Sequence, residues 1–82
     1  MDQIQLKELK NDYAKFIMHL NELNRAKNQK ERARITKVLD ALKSQIISTY
    51  DLMEYDIHIS HYQNNNQYFK DDVGSIINEL EV

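Results

Sequence analysis

His58-x-x-His61, with Glu54 one turn upstream, is the spacing in this chain that comes closest to a metal site. On a helix, separations of three and four residues bring side chains to one face. Two imidazoles and one carboxylate could then hold a catalytic zinc with an open coordination position. The set lacks the His-Glu-x-x-His arrangement of metalloproteases, and no downstream ligand is evident. The reading adopted is two surface or half-buried histidines beside a loop, with no metal and no cofactor. Asp51, Glu54 and Asp56 are the neighbouring carboxylates. General acid–base work needs a carboxyl group in a shaped, water-poor pocket, and a small helical chain has little room for one. No nucleophile stands beside a base, and no Gly-rich phosphate loop is present, so the chain is not expected to be an enzyme.

The other chemically loaded stretch is basic. Residues 25–43 carry seven positive and two negative side chains, whereas residues 44–82 carry one positive and seven negative. A chain of formal net charge −2 is therefore a charge dipole. Arg25, Lys27, Lys30, Arg32, Arg34 and Lys37 form the cluster. Such residues make the phosphate contacts that dominate nucleic-acid affinity. Against that partner, the whole chain is acidic, no aromatic is interleaved for base stacking, and no Gly-containing turn joins two short helices as in a helix-turn-helix. Of the five tyrosines, Tyr13 and Tyr50 fall on apolar stripes and read as core. Tyr55, Tyr62 and Tyr68 read as residues sealing the end of a bundle, with an interface cluster as the alternative.

The elements that must carry these residues are helical. Leu6, Leu9, Tyr13, Phe16, Leu20 and Leu23 repeat at spacings of three and four, which gives a first helix over about 3–26 with Asp2 as its N-cap. Apolar periodicity stops at Leu23. Asn28 with Glu31 three residues on reads as a capping box that opens a second helix at 29. The short connection makes the two helices an antiparallel hairpin. From Glu31 to Tyr62 there is no Gly and no Pro, and apolar residues recur with helical period from Ile35 to Ile57. The second helix is therefore expected to run to 62 as a rod of roughly 48 Å, with the other helices as its cladding. Residues 55–62 also alternate like a short strand, but a lone strand would have no partner. Asn64-Asn65-Asn66 reads as a loop and about 67–81 as a third, shorter helix, with Gly74 inside it.

The fold class expected is all-α, one domain over residues 1–82: a helical hairpin with a shorter third helix, completed as a homodimeric bundle. Cysteine and tryptophan are absent, so helix packing or a partner must supply the stability. The third helix is too short to cover the whole rod. A bare strip is expected at Ile35, Leu39 and Leu42, rimmed by Arg32, Arg34 and Lys37, and a contiguous apolar patch of this kind marks an interface. The size and layout resemble small bacterial helical hairpins that dephosphorylate an aspartyl-phosphate in a sporulation relay. Thr36-Lys37-Val38-Leu39-Asp40 keeps only the Leu-Asp of their Ser-Gln-Glu-Leu-Asp signature, and no site is transferred.

No apolar run approaches the ~18 residues of a membrane span, and MDQIQLKELK lacks the basic and apolar regions of a signal peptide. A cytoplasmic location is expected. Ile, Asn and Lys make up 25 of the 82 residues, a bias that points to an AT-rich bacterial or phage genome. The function expected is a protein–protein interaction module, an adaptor, inhibitor or antitoxin-like protein, that binds another protein by a helical face. The alternative is a nucleic-acid-associated regulator using the basic tip at 25–43.

Overall fold

Three α-helices carry the computed structural model, which describes residues 1–62 and 65–81. They are α1 (Gln3–Arg25), α2 (Gln29–Thr49) and α3 (Asn66–Glu81), and two single 3-10 turns, Leu52–Tyr55 and Ile59–Tyr62, link α2 to α3. The described residues contain no strand, and none of their helices is long and apolar enough to cross a membrane.

Both hairpin helices start where their caps dictate. The Asp2 carboxylate accepts from the Gln5 backbone N–H at 2.8 Å, and the Asp2 N–H donates to Gln5 Oε1 at 3.3 Å. These two bonds complete a capping box that quiets two of the orphan donors of α1. At α2 the Asn28 side chain accepts from the Glu31 N–H at 2.7 Å. The connection between Arg25 and Gln29 is tight, and α1 and α2 lie antiparallel: Arg32 near the start of α2 reaches Leu23 O, while Tyr50 just past its end reaches Asp12.

The rod expected over 31–62 is corrected. Helix α2 stops at Thr49, because Asp51 adopts the left-handed region (φ 53°, ψ 44°). The turn after it also ends on a left-handed residue, Asp56 (φ 62°). There the Ile57 N–H donates to Leu52 O and the Asp56 N–H to Met53 O, which is the hydrogen-bond pattern of a Schellman stop. Its accompanying apolar contact pairs Leu52 with Ile57, both buried. The physical reason lies at the end of the hairpin. Thr49 and Tyr50 already stand beside Met1 and Gln5, so a continued helix would leave α1 behind and carry Leu52, Ile57 and Tyr62 into water. Folding back buries all three. Residues 55–62 are therefore neither the α-helix expected nor a strand.

Helix α1 is the element that packs against both other helices. Its Phe16 is fully buried and meets Phe69 of α3 at 4.8 Å between ring centroids, and Tyr62 closes on the same Phe69 at 5.4 Å. Tyr13 donates its hydroxyl to Lys70 O at 2.7 Å, and Tyr50 donates to Asp12 from the other side. The third helix thus lies chiefly along α1, antiparallel to it. The close approach runs through Gly74, where a Cβ would stand 2.8 Å from the Tyr13 hydroxyl. Helix α3 opens at Asn66, inside the stretch read as a loop, and Asn64 lies outside the described residues.

The packing of the single chain also corrects the apolar strip. Ile35 and Leu39 are 1 % and 0 % exposed and Leu42 is half-buried, all within the core of a single chain. The strip left by the short third helix is therefore not bare, and these three residues give no reason to expect a second copy.

Candidate functional site

Helix α3 begins one turn before Phe69, the residue that meets Phe16 of α1. Roughly two turns of each hairpin helix therefore project beyond α3 along the 40 Å axis of the molecule. That projecting tip carries the basic cluster. On the outer face of α2, Lys30, Arg34 and Lys37 follow one another at spacings of four and three, in one row with a span of about 10 Å. All three are exposed, and the row continues into exposed Ala41, Ser44 and Ser48. Arg25 and Lys27 add their charge from the end of α1 and from the turn. Met18, 53 % exposed, shares a face of α1 with Asn21 and Arg25.

Arg32 is placed differently from its neighbours. Its Nη1 donates to Leu23 O at 2.9 Å and to Ala26 O at 3.2 Å. The guanidinium caps the carbonyl end of α1, where the helix dipole favours a cation, and so it staples the hairpin turn. Of the expected rim, Arg34 and Lys37 remain as outward-facing cations. Among the described residues, none of the six cluster cations lies within 4 Å of a carboxylate. Cations elsewhere do pair: Lys10 with Glu81, Lys15 with Asp12, and Lys43 with Asp40. Six cations on one tip, none with a carboxylate partner among the described residues, set up a field that draws an acidic partner and weakens with salt.

Lys43 is the residue that sequence reasoning missed. It is 1 % exposed, with its ammonium on Tyr62 O at 3.0 Å and Asp40 Oδ1 at 3.1 Å. The aliphatic stem crosses the core and the head ties the second 3-10 turn to α2. Its signal was its position, four residues after Leu39 and three before Ile46 on the buried stripe.

The histidine set is not assembled as the helical reading required. Glu54 and His61 occupy different 3-10 turns, with the left-handed Asp56 between them. The rings of His58 and His61 meet edge-on at 5.5 Å. No group of three His, Cys, Asp or Glu among the described residues could hold a metal ion. The tyrosines divide: Tyr62 is buried and seals the core, whereas Tyr55 and Tyr68 are exposed. Burial first, then the hydrogen bonds and charges of Asp12 and Asp72, push the Tyr50 and Tyr62 hydroxyls well above the ordinary tyrosine range. Burial and then the Asp71 charge raise Tyr13.

Comparison of the chain with protein-family models, curated proteins and solved structures finds no match in any of the three.

Proposed function

We propose that this chain is a small non-enzymatic interaction module, an adaptor or inhibitor, that lays the projecting tip of its helical hairpin against an acidic protein surface. The observation that carries the proposal is the row Lys30, Arg34, Lys37, exposed and free of carboxylate partners among the described residues. A solvated helix face kept only for solubility is commonly laced with both signs of charge, and this row has one. Met18 beside Arg25 supplies an adaptable apolar contact of the kind used at protein surfaces. In this reading the charges set encounter rate and partner choice, and the buried residues Ile35 and Leu39 hold the hairpin straight behind them.

A second reading has an observation of its own. With Ile35 and Leu39 inside the core, α2 exposes no large apolar side chain, which suits a phosphate backbone. Capture with tagged native protein and with Arg34→Glu/Lys37→Glu separates the two. Both substitutions are at exposed positions and leave the Arg32 staple in place. A protein partner retained after nuclease and lost with the variant supports the proposal. Recovery that vanishes on nuclease treatment replaces it with the second reading. A partner held equally by both baits overturns the tip as the contact.

A further inference from the structure

The molecule carries a second surface that complements the tip. A cleft of about 480 Å³ opens between the linking turns and α3, rimmed by Tyr55, Asp56, Tyr68, Asp72 and Glu79, with Ile76 in its wall. Among the described residues, no Lys or Arg lines it. Tyr68 is 61 % exposed and Tyr55 38 %. Exposed tyrosine rings beside carboxylates are a receptor for ammonium and guanidinium groups. Tyr62 donates its hydroxyl to Asp72 Oδ2 at 2.7 Å, which fixes that carboxylate at the edge of the cleft and leaves its other oxygen for a ligand. Among the described residues no Lys or Arg pairs with Asp56, Asp72 or Glu79.

We infer that the occupant is the basic row of a second copy of this chain, with Lys30, Arg34 and Lys37 of one molecule seated along Asp72 and Glu79 of another. The registers match. Asp72 and Glu79 are seven residues apart on α3, as Lys30 and Lys37 are on α2, and seven residues of helix span about 10 Å in both. Laid antiparallel, Lys30 meets Glu79 and Lys37 meets Asp72. The positive end of one helix dipole then lies beside the negative end of the other. Arg34, between them, falls opposite exposed Ser75, which leaves room for its long side chain. The contact joins unlike faces, so it is a head-to-tail interface and not the like-with-like apolar seam of a bundle. It rests on the same basic row as the proposed function, and names one acidic surface that the row fits.

Sedimentation velocity of the purified full chain over a concentration series, at low and high salt, tests it with Lys30→Glu, Glu79→Lys and the combined Lys30→Glu/Glu79→Lys. Both positions are exposed, and circular dichroism checks that each variant keeps its helices. The native chain associates at low salt and comes apart at high salt. Each single reversal moves the association midpoint to about tenfold higher concentration, and the combined swap returns it to within about threefold of native. A native chain that stays monomeric at low salt overturns the inference. So do single variants that associate like native, or a combined variant no better than the singles. Only purified protein is read here, so these outcomes stand apart from the capture experiment and either can fail alone.

Discussion

Tyr13, Tyr50 and Tyr62 each place a hydroxyl at a joint between elements: on Lys70 O, on Asp12 and on Asp72. Each is held protonated above the ordinary tyrosine range, by burial first and then by a nearby carboxylate. An unfolded tyrosine ionises near pH 10. The folded groups ionise higher, so the stability they confer is complete below about pH 10 and falls as pH rises through the folded-state values. Thermal melts from about pH 8 to 11, followed with tyrosinate absorbance, should show this decline, and Tyr50→Phe or Tyr62→Phe should flatten it; a Tm unchanged across that range contradicts the joints. Gly74 offers a second test at this scale. Alanine in a helix interior gains about 1 kcal/mol over glycine, but here its Cβ would press on the Tyr13 hydroxyl and displace it from Lys70 O. Gly74→Ala should therefore bring no net stability to the native chain, yet about 0.5–1 kcal/mol in a Tyr13→Phe background. Chemical denaturation of the four chains measures that coupling, and equal gains in both backgrounds would show that the contact is absent.

Among the elements, α2 is the one whose end decides the fold. The starts of α1 and α2 are legible in Asp2 and Asn28, because a cap is a local device that the sequence states outright. The stop after Thr49 is not. It rests on Asp51 taking a left-handed conformation that glycine would advertise and aspartate only tolerates. What forces it is the burial of Leu52, Ile57 and Tyr62, a tertiary gain that periodicity along one helix cannot register. The same blindness explains Ile35 and Leu39. Their spacing fixes which way they point, but not that the packing of one chain leaves them no exposed surface. Arg34 and Lys37, by contrast, were legible as outward-facing, since they fall off the apolar stripe and no described carboxylate pairs with them. The stop yields a test whose sign depends on it. In a left-handed position Asp51→Gly relieves strain and should stabilise by about 0.5 kcal/mol, net of the entropy glycine adds to the unfolded chain. Were residues 31–62 one helix, the same change would cost up to about 0.5 kcal/mol, since aspartate is itself a poor helix former. The midpoint of urea unfolding decides between them.

At the scale of the whole molecule, the chain is a 40 Å body with its charges sorted along it. Basic residues cluster on the projecting hairpin tip, and carboxylates on the linking turns and α3. A net charge of −2 conceals this, because the two ends nearly cancel. Separated charges act over about a Debye length, ~8 Å at physiological salt, so a partner at the tip meets the cations and is screened from the acidic end. The most direct measurement of the central claim is lysine footprinting of the captured complex by amine labelling and mass spectrometry. Lys27, Lys30 and Lys37 are exposed on the tip, Lys7 and Lys10 are exposed at the far end, and buried Lys43 serves as the unreactive control. The partner should protect the three tip lysines severalfold and leave Lys7 and Lys10 unchanged. Protection confined to Lys7 and Lys10, with the tip as reactive as in the free protein, would contradict the claim.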